Sequence, residues 1–549
     1  MTSFRLDQTT VHQPLLQEAQ RMQRPENHLR RLIETPDRLK RYSIEGCGML
    51  LDYSRQRLDD AARRLLFTLE DALRLRQRFG AMCAGEKINV TENRAVLHTA
   101  ARAFGDDPIR VDGRDVMPEI RRVRDQMKQF SEQVRSGAIT GSTGKPFRHV
   151  VVIGIGGSYL GTEFVSTALA ALSDRRLTLH YLANVDIHNF GAVAAAIDPE
   201  TTLWVVISKS YTTAETSANT HQAEQFMRDK GLDPARHTVT VTSKGSPGDD
   251  PARPVLQTFH MFDFIGGRYS VTSAVGGVPL SLLLGYDRFE AFLLGAAEMD
   301  RHALEAPVAK NLPLIAALIS IWNTSLLGYG QQAIIPYASP LAKLAPHVQQ
   351  LNMESNGKAA DIQGDSLEPP AGVVIFGEPG TNAQHSFFQL AHQGHPFPIE
   401  FIGVRTPQYT QYTARSKGVT NHQELWANLV AQANALAAGR PSEDRTRHFE
   451  GNRPSSTLVL EDLQPINVGR LLSFYEARTV YEGFIWGINS FDQFGVELGK
   501  VLADDLRMRI ARRNSEPDYD FGDMDDIGRG YLRLLFGESF RGRVLSVKF

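Results

Sequence analysis

The chain has 549 residues, of which 42% are hydrophobic and 22% charged, ordinary globular proportions that supply a sizeable core. Its 60 Lys and Arg against 62 Asp and Glu leave a formal charge of -2, which excludes a general nucleic-acid binder with a broad basic face. Two cysteines, Cys47 and Cys83, permit at most one disulfide and fit unpaired thiols in a reducing cytoplasm. Residues 1–20 include Arg5, Asp7 and Glu18 and have no apolar signal core. The most apolar long stretch, 312–329, is interrupted by Asn323, Thr324 and Ser325, so no membrane span is expected.

In chain order, residues 6–79 are charged and helix-like. Over 54–79 the recurrence of Leu58, Ala62, Leu65, Leu69 and Leu73 predicts an amphipathic helix. Residues 136–145, rich in Gly, Ser and Thr, read as a loop. Apolar runs at 149–154, 177–183, 202–208 and 237–243 then predict strands separated by helix-like stretches. That alternation points to an α/β unit with a parallel sheet covered on both faces. A second series follows at 332–337, 372–377, 399–404 and 456–460, with 312–329 as a buried helix between the two. Residues 467–512 close the pattern as a helical region. The tail is acidic and polar over 514–526, then apolar and basic over 531–549, where packing is expected.

Six segments could carry chemistry. Gly154-Ile155-Gly156-Gly157-Ser158 follows the first strand, and its glycines would let backbone approach a ligand at a helix start. A dinucleotide-binding turn would look similar, but the ribose-binding acid expected about 20 residues on is not clear-cut. Ser208-Lys209-Ser210-Tyr211-Thr212-Thr213-Ala214-Glu215-Thr216 follows another strand, where its hydroxyls and N–H groups would cradle a phosphate. Thr212 and Glu215 also have capping-box spacing, so helix-end chemistry alone could account for part of it. In Gly266-Gly267-Arg268-Tyr269-Ser270, paired glycines would let Arg268 face a developing oxyanion; a turn with a solvated Arg is the plainer reading.

In Gln349-Gln350-Leu351-Asn352-Met353-Glu354-Ser355-Asn356, Glu354 sits among polar groups able to position a polyol, and a carboxylate can act as a base. Near Gly380-Thr381-Asn382-Ala383-Gln384-His385, His385 and His392 would share a face if helical. Their spacing does not match known helical zinc sites, so proton transfer suits His385 better, and packing or surface exposure suits His392 and His395. In Ile488-Asn489-Ser490-Phe491-Asp492-Gln493-Phe494-Gly495-Val496-Glu497-Leu498-Gly499-Lys500, one helical face could present Gln493 and Lys500 together.

In this order the six segments resemble the glucose-6-phosphate isomerase (phosphoglucose isomerase) family, from about Tyr42 through Gly85-Glu86-Lys87-Ile88-Asn89-Val90-Thr91-Glu92 to Lys500. The resemblance implies two doubly wound, sugar-isomerase (SIS-type) α/β subdomains, with a helical N-terminal segment at 1–115, the subdomains at 116–295 and 296–512, and a tail at 513–549. It implies a cytoplasmic homodimer whose partner subunit completes the active site, a sugar-phosphate substrate, and no metal or organic cofactor. By resemblance Glu354 is the base moving a proton between C2 and C1 through a cis-enediol, and Arg268 faces the enediolate oxygen. His385 and Lys500 would open the sugar ring, with His385 arriving from the partner subunit and Glu215 orienting that histidine. Ser208, Lys209, Ser210, Thr213 and Thr216 match the phosphate loop, with Gly157 and Ser158 nearby. Gly267, Gln350 and Gln493 match substrate-contacting positions.

The chain departs from the family pattern at Ser210 (usually threonine), Ala214 (often glutamine), Asn352 (often aspartate), Ala383 (usually glycine) and Phe494 (typically tryptophan). None of these removes a proposed catalytic group. Two rival readings are a sugar-phosphate sensor, which would not need Glu354, Arg268, His385 and Lys500 together, and a dinucleotide-dependent oxidoreductase.

Overall fold

The computed structural model describes residues 5–538. These form two compact units, one ending at Phe491 and the other beginning at Asp492.

The first unit is built on two mainly parallel sheets. Early in the chain, β1 (Ser43–Gly46) and β2 (Met49–Asp52) form an antiparallel hairpin. Next come β3 (His149–Ile153), β4 (Thr178–Leu182), β5 (Thr202–Ile207), β6 (Thr238–Ser243) and β7 (Gln257–Met261). They lie side by side as β4-β3-β5-β6-β7, every pair parallel. The second sheet holds β8 (Gln331–Tyr337), β9 (Val374–Phe376), β10 (Ile399–Val404) and β11 (Ser455–Leu460). Its order is β1-β2-β11-β10-β8-β9, parallel except where β2 joins β1 and β11. The central strands β5 and β10 are buried at every position, as expected of strands covered on both faces. All eight strands expected from apolar runs form. β7 escaped because its alternating Gln257-Thr258-Phe259-His260-Met261 is an edge pattern with only Phe259 fully buried.

The N-terminal segment is largely helical but also contributes the hairpin, whose strand β2 pairs with β11 across some four hundred residues of sequence. The helix expected over 54–79 forms as two, α1 (Asp60–Leu73) and α2 (Leu75–Cys83). Asp59 caps α1 by accepting from the Ala61 and Ala62 N–H groups, which sets the start beyond Leu58. Arg74, at φ 51, breaks the helix, and Leu66 rather than Leu65 is buried.

Six further helices matter for the site. α3 (Leu160–Ala168) follows β3, and α4 (Ala214–Asp229) follows β5. α5 (Leu312–Ile321) is wholly buried and runs into a π-turn, Trp322–Leu326, as the long apolar stretch predicts. α6 (Leu344–Asn356) follows β8, the short α7 (Phe388–Gln393) follows β9, and α8 (Pro465–Trp486) is buried at twenty of its positions, too many for an amphipathic surface helix. The helical region expected over 467–512 is therefore interrupted after Trp486. Both cysteines are free.

The second unit holds α9 (Glu497–Ser515) and α10 (Asp526–Leu535). Phe521 is its buried centre, packed by Tyr519 and Phe536, and Arg509 ties it together by bonding Asp505 at 2.7 Å and Asp523 at 3.0 Å. Of the tail expected to pack, Phe536 meets Phe521 while Tyr531, Leu534 and Leu535 stay exposed; residues 539–549 of that expectation lie outside the described residues. Among the described residues no helix is long and apolar enough to cross a membrane.

Candidate active site

Three loops and one helix of the first unit converge. After β3 the chain closes into a 3-10 turn at Gly156–Ser158, the Ser158 N–H donating to the Ile155 carbonyl at 3.1 Å, before α3 begins. Here the glycine is obligatory: a Cβ on Gly157 would lie 2.2 Å from the Gly267 carbonyl carbon and 2.7 Å from the Arg268 nitrogen. The Ser270 hydroxyl also donates to the Gly157 carbonyl at 3.3 Å. The glycine-rich turn is thus seated on the turn that carries Arg268.

That second turn is a 3-10 turn, Gly267–Tyr269. The plainer reading of a solvated Arg268 does not hold, since its side chain is only 2% exposed. All three guanidinium nitrogens are used: Nη1 donates to Glu354 Oε1 at 3.1 Å, Nε to the Ser355 hydroxyl at 2.6 Å and Nη2 to the Ser490 carbonyl at 2.7 Å. Tyr269, whose hydroxyl shares Ser355 at 3.0 Å, is pushed up to about 12 by burial.

Glu354 lies in the last turn of α6, and Gln350, one turn earlier on the same face, donates to its Oε2 at 2.9 Å. The carboxylate thus receives one donor on each oxygen while 25% of the side chain stays open to solvent. Gln350 also reaches the glycine turn, its Nε2 lying 3.1 Å from where a Gly156 Cβ would sit. Gly157, Gly267, Arg268, Gln350 and Glu354 therefore form one contiguous set.

The loop after β5 is tied to this set by Lys209. Its ammonium donates to the carbonyls of Asp263 at 3.0 Å and Ile265 at 3.5 Å, bracing the segment that leads into Gly267, and burial pushes its pKa down. Ser208 is buried and accepts from the Tyr211 N–H at 3.1 Å; the exposed Ser210 accepts from the Thr212 hydroxyl at 2.8 Å. The capping box expected of Thr212 and Glu215 does not form. Tyr211, at φ 57, shifts the helix start so that Thr213 is the N-cap, and its side chain makes no capping bond. The hydroxyl of Thr213 and the first-turn amides of α4 are therefore not consumed by each other. Thr216, one turn into α4, is buried.

The two histidines do not share a helix. His385 ends a 3-10 turn, Asn382–His385, whereas His392 lies in α7, bonded to Gln432 at 2.9 Å and packed against Phe388 and Phe449. His392 is thus a packing residue, and His395 is exposed. His385 is exposed and makes no hydrogen bond among the described residues; none links it to Glu215. Gln493 and Lys500 also fail to share a helical face. Gln493 caps the 3-10 turn Phe494–Val496, and α9 starts only at Glu497, with Lys500 exposed in its first turn. Sequence reasoning missed Ser355, Tyr269 and Ser490 as anchors of Arg268. Each sits inside a quoted motif, yet nothing local marks which hydroxyl or carbonyl a distant guanidinium will find.

A family model described as phosphoglucose isomerase matches residues 52–524. A glucose-6-phosphate isomerase of Desulfosudis oleivorans is 61% identical, the match covering 98% of this chain and 99% of that protein. The cytosolic glucose-6-phosphate isomerase of Spinacia oleracea is 45% identical over 89% of this chain and 90% of its own. The crystal structure of a glucose-6-phosphate isomerase from Chlamydia trachomatis superposes with a TM-score of 0.88 at 37% identity, covering 97% of this chain and 99% of that one. With a match of this extent joined to the contiguous Arg268–Glu354 set, the chain belongs to the phosphoglucose isomerase family.

Proposed function

We propose that the protein reversibly isomerises D-glucose 6-phosphate and D-fructose 6-phosphate, serving glycolysis and gluconeogenesis. The observation that carries this is the partly open Glu354 carboxylate held 3.1 Å from the buried Arg268 guanidinium. A proton on carbon beside a carbonyl is weakly acidic, so moving it needs a positioned base and a means of holding the charge left behind. Glu354 removes the C2 proton and returns it at C1, and the guanidinium beside it faces the cis-enediolate oxygen. A positioned base supplies roughly 10²–10⁴-fold and an oxyanion donor roughly 10²–10³-fold. The two sugars are isomers, C1 being reduced as C2 is oxidised, so the reaction has no net redox change and calls for no nicotinamide. No metal is assigned a role either.

The loop Ser208, Lys209, Ser210, Thr213 and Thr216 binds the phosphate, with Gly157 and Ser158 beside it, the uncapped start of α4 suiting a dianion. Lys209 contributes there through its brace on Asp263 and Ile265. Gly267 and Gln350 contact the sugar. For Gln493, a sugar contact, and Lys500, the partner of His385 in ring opening, the proposal rests on the family resemblance. His385 acts from the partner subunit of a homodimer, oriented by Glu215; its exposure in the single chain supports this. A cytoplasmic location agrees with the cytosolic plant relatives.

The test is an assay of fructose 6-phosphate formation from glucose 6-phosphate, with a chelator present and in deuterated water. Turnover with deuterium entering C1 or C2 is expected. Turnover with no label from solvent at any temperature or time would indicate a hydride shift, and binding without turnover would indicate a sensor.

A further inference from the structure

Behind Glu354, on the opposite side of α6, lies a buried polar cluster with no part in the mechanism above. Glu482 of α8 is fully buried and gathers three donors. Asn352 Nδ2 and Asn356 Nδ2 donate to its Oε2 at 2.6 and 3.2 Å, and Arg478 Nε donates to its Oε1 at 2.9 Å. Arg478 is in turn held by Glu400 and Gln332, each at 2.9 Å. The two asparagines are one helical turn apart and flank Glu354, so a single carboxylate clamps the last turn of α6 from behind. The chain of bonds then returns to the site. Asn356 Oδ1 accepts from the Ser490 hydroxyl at 2.8 Å, and the Ser490 carbonyl accepts from Arg268.

We propose that Glu482 is a positioning residue that sets both Glu354 and Arg268 through Asn352, Asn356 and Ser490. Asn352 acts here through its nitrogen, since its own carbonyl oxygen is buried without a donor. Reacting groups misplaced by about 1 Å can lose roughly 10²-fold in rate, so slack in this clamp reaches the chemistry without touching the phosphate loop.

The inference rests on Glu354 being the base, and the test separates the two. Wild-type turnover lost in Glu354→Gln keeps that reading; activity surviving Glu354→Gln removes it and this inference with it. Given that result, Glu482→Gln puts an amide nitrogen among three donors, and Asn352→Asp sets two carboxylates against each other. Each is expected to lower kcat by roughly tenfold to a hundredfold with KM within about threefold. The double variant N352D/E482Q again pairs one carboxylate with one amide, sides exchanged, and is expected to recover kcat to within about threefold of wild type. If Glu482→Gln does not fold, Asn352→Ala, which deletes one donor and leaves Glu482 paired with Asn356 and Arg478, is expected to show the same fall in kcat at constant KM. The inference is overturned by wild-type kcat in the single variants, by a loss confined to KM, or by a double variant no better than the worse single one.

Discussion

Arg268 and Glu354, 86 residues apart, meet at 3.1 Å, with the guanidinium almost wholly buried and the carboxylate a quarter exposed. The asymmetry has a chemical use. The cation is immobilised by Ser355 and the Ser490 carbonyl, while the carboxylate keeps a side open toward a substrate. Burial of a cation is tolerable only when it is paired and hydrogen-bonded, and here each of the three guanidinium nitrogens has a partner.

Replacing Glu354 by Gln keeps the shape and the Gln350 contact but removes the base. Isomerisation is expected to fall by at least about 10²-fold while a phosphorylated sugar still binds. Steady-state kinetics with calorimetric binding would check this, and near-normal kcat would rule Glu354 out.

The phosphate loop makes a contrasting prediction. Ser210→Ala combined with Thr213→Ala removes two hydroxyls that α4 does not need for its cap. Hydrogen bonds to a charged group contribute about 1.5–3 kcal/mol each, so KM for the sugar phosphate should rise at least about tenfold with kcat little changed. An unaltered KM would place the phosphate elsewhere.

Gly157→Ala would drive a Cβ to 2.2 Å from Gly267. Backbone stands on both sides, so the turns must part, at a cost of about 1–3 kcal/mol in stability and with a fall in kcat as Arg268 shifts. Gly191→Ala is the control: it lies inside the helix Ile187–Ala196, nothing stands within 4 Å of its added Cβ, and it should be neutral or stabilise by up to about 1 kcal/mol. Thermal unfolding and kcat for both variants would decide; equal behaviour would refute the close approach.

His347, on α6, is buried against Phe164 of α3, ring centroids 5.7 Å apart, and burial pushes it down to about 4. The native state therefore holds it neutral, while the unfolded chain takes a proton near the ordinary value of 6.5. Its contribution is fully present above that value and is lost as pH falls from 6.5 to about 4, amounting to about 3 kcal/mol. Stability measured by denaturant across this window should fall less steeply in His347→Phe than in wild type. Parallel curves for the two would contradict it.

Much of this protein could be read from local sequence. Continuous apolar runs such as Val150-Val151-Val152-Ile153 mark buried parallel strands, because a strand covered on both faces has no polar side to show. Turn glycines and the polar companions of Glu354 marked the site for the same local reason. Tertiary structure alone decided the pairing of β2 with β11, the burial of Arg268, and the clamp of Glu482 on Asn352 across 130 residues. It also ended the helix at Arg74 and separated Gln493 from the helix that bears Lys500. Periodicity and turn chemistry act within a few residues and are written there, whereas which distant donor meets which acceptor is settled only when the whole core excludes water and buried polar groups must find partners within it.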